Sequence, residues 1–155
     1  PLNCAVFITW IQDQRWHRTQ IGLGTSINLS GVGGNMTFVY LYHYNRCSKS
    51  RQALQFLSDQ SVSFELIDYH ASPPSVETIC DLIARSNHEP IEFVRKSSDL
   101  EFKPSGTLTD IATFLYTNPQ HLQRPIIDVG THVIIARPLK LLAVIPRFSS
   151  MFTDQ

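Results

Sequence analysis

With 155 residues, 43% of them hydrophobic, the chain has room for one globular domain with a modest core. Thirteen basic residues cancel thirteen acidic ones, so no global field draws the protein to nucleic acid or to an anionic membrane, and any anion binding has to be local. The cysteines, Cys4, Cys47 and Cys80, are odd in number, far apart and without a C-x-x-C pair, which argues against a disulfide scaffold and a zinc site and for a reducing compartment.

Residues 1–35 hold five of the seven glycines and both tryptophans but sustain neither a period of 2 nor one of 3.6. Their runs Gly22-Leu23-Gly24 and Gly31-Val32-Gly33-Gly34 lack the Lys-Ser/Thr and the strand-to-helix setting of a phosphate loop. The expectation is a flexible extension, or a non-native segment upstream of a start at Met36, which leaves residues 36–155 as the domain. No stretch of about 18 apolar residues occurs, and the basic-then-apolar order of a signal peptide is missing, so a soluble cytoplasmic protein is expected.

From Thr37 the pattern sharpens. Thr37-Phe38-Val39-Tyr40-Leu41-Tyr42 is a continuous β-prone apolar run, as in a strand buried on both faces. Residues 48–60 follow with Ala53, Leu54 and Leu57 at helical spacing and Arg51 and Gln55 left for solvent. Val62, Phe64 and Leu66 then alternate with Ser63 and Glu65, giving a second strand, and so short a helical connection implies a parallel pair. Past the loop 70–74, Ser75 caps a helix whose Val76, Ile79, Cys80 and Ile83 form an i, i+3, i+4, i+7 stripe, which makes Cys80 a core residue. Residues 90–94 add a helical turn presenting Arg95 and Lys96, and residues 97–106 read as polar loop. Thr107 caps a helix through about Tyr116, with Asp110 placed for a capping box, and Asn118-Pro119 stops it. Residues 126–127 and 133–135 flank Gly130 as an antiparallel hairpin. A short helix over 139–145 precedes a frayed tail, 147–155. The order β-α-β, helices, β-β-α gives a mixed sheet with helices packed on it.

The residues that carry chemistry sit between the first strand and the first helix. In Tyr42-His43-Tyr44-Asn45-Arg46-Cys47-Ser48-Lys49-Ser50-Arg51, a cysteine opens the helix and faces its free amide hydrogens and positive dipole end, with Arg46, Lys49 and Arg51 close in sequence. Both effects favour the nucleophilic thiolate, so its pKa is expected to fall from ~8.5 into the ~3.5–7.5 range of activated cysteines. His70, His88, His121 and His132 show no ligand spacing, and no metal is expected.

This order, with a helix-opening cysteine and an X-Pro just before the third strand, resembles the thioredoxin-like fold: an α/β fold with a mixed four-stranded sheet flanked by helices and a helical insertion between the second and third strands. His43, the run Arg46-Cys47-Ser48-Lys49-Ser50-Arg51, Arg124-Pro125-Ile126 and Arg137-Pro138 are together similar to the arsenate reductase family that uses glutathione and glutaredoxin (ArsC/Spx-like), over residues from about Met36 to Pro146. The resemblance implies an oxidoreductase with Cys47 as nucleophile on arsenate or a similar oxyanion and Arg95, Arg124 and Arg137 as its anion-binding arginines. His43, Ser50, Arg51 and Arg46 would tune the thiolate, and Pro125 would be a structural cis-proline beside the cysteine. No bound cofactor is implied: glutathione enters as co-substrate and glutaredoxin as the reducing partner, with no direct nucleic-acid or membrane contact. Where the family usually has Asn-Pro-Arg between the histidine and the cysteine, this chain has Tyr44-Asn45-Arg46, and losing the proline predicts a looser loop. Two alternatives share Cys47. One is an Spx-type regulator that binds RNA polymerase, against whose redox switch Ser50 counts, since no C-x-x-C disulfide forms here. The other is a general glutathione-dependent thiol-disulfide oxidoreductase.

Overall fold

The computed structural model of the chain describes residues 38–96 and 107–152. The glycine-rich segment 1–35 and the polar loop expected over 97–106 lie outside the described residues. Four strands form one sheet: β1 (Tyr40–His43), β2 (Glu65–Asp68), β3 (Ile126–Asp128) and β4 (Val133–Ile135), in the order β2-β1-β3-β4. β1 runs parallel to β2, with His43 opposite Asp68, and antiparallel to β3, with Tyr42 opposite Ile126. β3 and β4 are the expected hairpin; Gly130 in its turn has φ 80°, a conformation that glycine adopts without strain.

The helices are α1 (Ser48–Asp59), α2 (Val76–Ala84), α3 (Leu108–Thr117) and α4 (Pro146–Ser149), with 3-10 turns at Pro90–Phe93, Pro119–His121, Leu139–Val144 and Ser150–Phe152. The caps fall where the sequence put them: the Thr78 amide donates to Ser75 Oγ at 3.2 Å, and the Asp110 amide to Thr107 Oγ1 at 3.2 Å. Side-chain alternation divides the core between the two faces of the sheet. Leu41, Ile127, Val129 and Ile134 pack with Ala53 and Leu57 of α1 and with Leu142, Ile145 and Phe148. Asp128 is turned the other way, toward α2, where Arg85 binds it.

Two expectations need correction. β1 and β2 begin about three residues later than the apolar runs, because a strand lasts only as long as its partner's ladder, and β2 is largely exposed, as an edge strand is. The segment expected to fray is folded through Phe152: Pro146 opens α4, and Phe148 is fully buried beneath α1 and the sheet. Four residues of helix carry too little period to be read from sequence. Among the described residues, no helix is long and apolar enough to cross a membrane.

Candidate active site

The register of the sheet gathers the site at one end. β1 ends at His43, beside the start of β3, and the Ala136 amide donates to Pro125 O at 2.9 Å, so the carboxyl end of β1, Arg124-Pro125 and Arg137-Pro138 all emerge together. Both X-Pro bonds, Arg124–Pro125 and Arg137–Pro138, are cis. Arg95 is brought in by its backbone: its amide donates to His121 O at 2.7 Å and Gln123 N to Phe93 O at 2.7 Å, laying residues 93–95 along the segment that leads into Arg124. The side chains differ. Arg95 and Arg137 are exposed, whereas Arg124 is only 8% exposed.

Cys47 is the N-cap of α1, half-buried, with its side chain making no capping hydrogen bond. It is the free thiol among the described residues; Cys80 is buried in the stripe on α2, as its spacing predicts. Burial pushes the Cys47 thiol up. That push is outweighed by the Ser50 amide, the Ser50 hydroxyl, the Lys49 amide and the Arg124 guanidinium, which together leave its pKa below the ordinary thiol value. Backbone amides of the first helical turn thus act as the dipole argument requires.

Two of the cations adjacent in sequence have partners of their own. Arg51 donates from Nη1 to Asn45 O at 2.9 Å, Lys49 reaches Gln52 at 3.1 Å, and Arg46 is exposed. Side chains in a first helical turn radiate outward while the amides converge on the cap, so the cation that meets the sulfur is Arg124, from 77 positions away. His43 is buried and its pKa is lowered: burial disfavours the imidazolium, against opposing contributions from the Ser50 backbone and Asp68. It therefore stands behind the site as a neutral ring. The loop that lacks the proline is tied down by other means. The Cys47 amide donates to Tyr44 O at 2.9 Å, Arg51 holds Asn45, and the Tyr44 ring stacks on His70 at 4.6 Å.

Sequence reasoning missed the aromatic wall around the thiol. The Arg124 guanidinium carbon lies 5.1 Å over the Tyr44 ring, a cation–π contact, and the Tyr44 and Tyr69 rings are 6.3 Å apart. Arg124 Nη1 donates to Gln120 O at 2.9 Å, and no carboxylate pairs with it among the described residues. Four buried polar atoms have no partner of hydrogen-bond geometry there: His43 Nδ1, Ser50 Oγ, Tyr69 Oη and Arg124 Nε. Ser50 and Arg124 influence the sulfur electrostatically without forming well-aligned hydrogen bonds in this state. Nothing in the local pattern marks Tyr44 or Tyr69; only the parallel register of β1 and β2 sets them side by side.

An α/β sheet of this order, with a free thiol capping the helix after β1, defines a thioredoxin-like fold with a cysteine at its candidate site. No protein-family model matches the chain. It is 30% identical over 106 residues to the uncharacterized protein YfgD of Escherichia coli, spanning 64% of this chain and 89% of that protein. It is 26% identical over 111 residues to an arsenate reductase of Neisseria meningitidis, spanning 68% of this chain and 95% of that one. The solved arsenate reductase of Vibrio cholerae superposes with a TM-score of 0.62 at 25% identity, over 72% of this chain and 99% of that one. The chain belongs to the ArsC-like family, and the relatives from Neisseria meningitidis and Vibrio cholerae carry the name arsenate reductase.

Proposed function

We propose that the protein is a thiol oxidoreductase that reduces arsenate to arsenite, with Cys47 as nucleophile. The observation that carries this reading is Arg124, a buried guanidinium without a carboxylate partner among the described residues, beside a helix-capping thiol held toward its thiolate form. A buried cation left unpaired is costly unless an anion completes it, and a planar guanidinium suits a tetrahedral oxyanion. Arg95 and Arg137, exposed at the same end of the sheet, supply the remaining positive charge at the mouth. The names of the relatives make arsenate the first candidate anion.

In the proposed reaction the Cys47 thiolate attacks arsenic and displaces one oxygen as water, and the thiol of glutathione displaces a second. A glutaredoxin thiol then attacks the glutathione sulfur. The electron pair of the broken sulfur–arsenic bond stays on arsenic, which becomes arsenic(III), and the two donors leave as a mixed disulfide. Hydrolysis of the remaining sulfur–arsenic bond releases arsenite and restores Cys47. Ser50 at the third position after Cys47 supports an external donor, since no neighbouring thiol stands there to resolve the adduct. Glutathione is thus a co-substrate in this scheme, and no bound cofactor is required.

Arsenite formation by the full chain with arsenate, glutathione and glutaredoxin tests the proposal. Turnover should disappear in Cys47→Ser and fall steeply when glutaredoxin is omitted. Equal rates for the unaltered protein and Cys47→Ser would reject the assignment, and undiminished turnover without glutaredoxin would reject the donor.

A further inference from the structure

His43 and Asp68 face each other at the carboxyl ends of the parallel pair, so the residues after them, Tyr44 and Tyr69, leave the sheet together. Tyr44 has His70 stacked on it at 4.6 Å and the Arg124 guanidinium at 5.1 Å from its ring, and so serves as wall. Tyr69 is different. It is wholly buried, yet its hydroxyl has no partner of full hydrogen-bond geometry among the described residues, Arg124 being the one donor that acts on its oxygen. A phenol left in that condition is less favourable than phenylalanine would be, because the lost hydration of the hydroxyl is not replaced.

The electrostatic surroundings locate that hydroxyl. Burial pushes the Tyr69 pKa up to about 12, Arg124 opposes the rise, and Cys47 and Tyr44 add to it. Tyr69 therefore keeps its proton near neutral pH, and its ring stands 6.3 Å from the Tyr44 ring over which the Arg124 guanidinium lies. Arginine only donates. Any approach of Arg124 to Tyr69 uses the phenolic oxygen as acceptor and leaves the phenolic hydrogen for another group.

We infer that Tyr69 is a substrate-binding residue whose hydroxyl donates a hydrogen bond to an oxygen of the tetrahedral oxyanion held between Arg124 and Cys47. The inference rests on the proposed roles of Cys47 and Arg124. It adds a neutral donor fixed by packing to a site otherwise defined by positive charge, and a fixed donor discriminates the position of an oxygen as mobile surface charge does not.

Protection of Cys47 in the full chain from iodoacetamide by added arsenate, without electron donors, reads anion occupancy directly. Tyr69→Phe retains the ring and removes only the hydroxyl. Its half-protecting arsenate concentration should rise about tenfold or more, the lower end of what a hydrogen bond to a charged group contributes. Tyrosine difference absorption of the unaltered chain gives a second reading that needs no variant: arsenate should shift a phenol band to longer wavelength as the hydroxyl gains an anionic acceptor. Equal protection of the unaltered chain and a folded Tyr69→Phe, or an unshifted tyrosine spectrum while arsenate protects, overturns the inference alone. Absence of protection in the unaltered chain, as in Arg124→Ala, overturns the reading of the site on which it rests.

Discussion

Arg85 and Arg124 meet β3 at its opposite ends, and the protein treats the two charges differently. Arg85 binds Asp128 through both terminal nitrogens, at 2.6 and 2.8 Å, donates from Nε to Asp81 at 2.9 Å and reaches Gly130 O at 2.9 Å. Hydrogen bonding to Asp128 raises its pKa above the ordinary arginine value, over the opposing effect of burial. Arg124 is more deeply buried, yet it holds one carbonyl and leaves Nε without a partner among the described residues. Since a desolvated charge is stable only when paired, the Arg85 end fastens α2 to the hairpin, and the Arg124 end is left open at the place where the proposed oxyanion would complete it.

The largest effect should come from breaking the saturated end. Asp128→Ala leaves Arg85 without its bidentate partner and should cost about 3–5 kcal/mol in urea unfolding. A loss below about 1 kcal/mol would remove the distinction between the two ends. Arg124→Ala should act in the opposite sense, lowering kcat/KM for arsenate by about 10²–10³ while leaving unfolding stability unchanged or slightly raised, because a poorly paired buried charge has gone. A stability loss as large as that of Asp128→Ala would make Arg124 a structural residue.

His43 should give the smallest effect, visible as pH dependence. Burial makes it a weaker proton binder folded than unfolded. Its contribution is therefore fully present above the unfolded histidine pKa of about 6.5 and is lost as pH falls through the lower folded value. One such group gives a slope of at most about 1.4 kcal/mol per pH unit. His43→Asn should flatten the stability profile below pH 6.5, and an unchanged slope would place the titrating group elsewhere.

Local features were legible because they depend on near neighbours. Ser75 and Thr107 cap helices by bonds to amides three residues on, Gly130 supplies a turn, and Cys47 faces amides of its own helix. The surroundings of Cys47 were thus readable in outline. Its cation was not: Lys49 and Arg51 are engaged with Gln52 and Asn45, whereas Arg124 acts on the sulfur from across the fold. The Arg85–Asp128 pair was equally invisible, its partners 43 positions apart and each typical of a solvated surface. Phe148 was lost in a segment too short to show a period.

The sequence by itself determined the free thiol at a helix start, the order of strands and helices and the two Arg-Pro corners, since each follows from composition, capping and periodicity within a few residues. Only the tertiary structure decided which charges are paired and which stand open. The parallel register of β1 with β2 sets Tyr69 beside Tyr44, the antiparallel register of β1 with β3 brings Arg124 to Cys47, and the far end of the same strand gives Asp128 to Arg85. Desolvation decides the rest: a buried polar group's worth depends on what the fold places against it, and that is a property of distance in space.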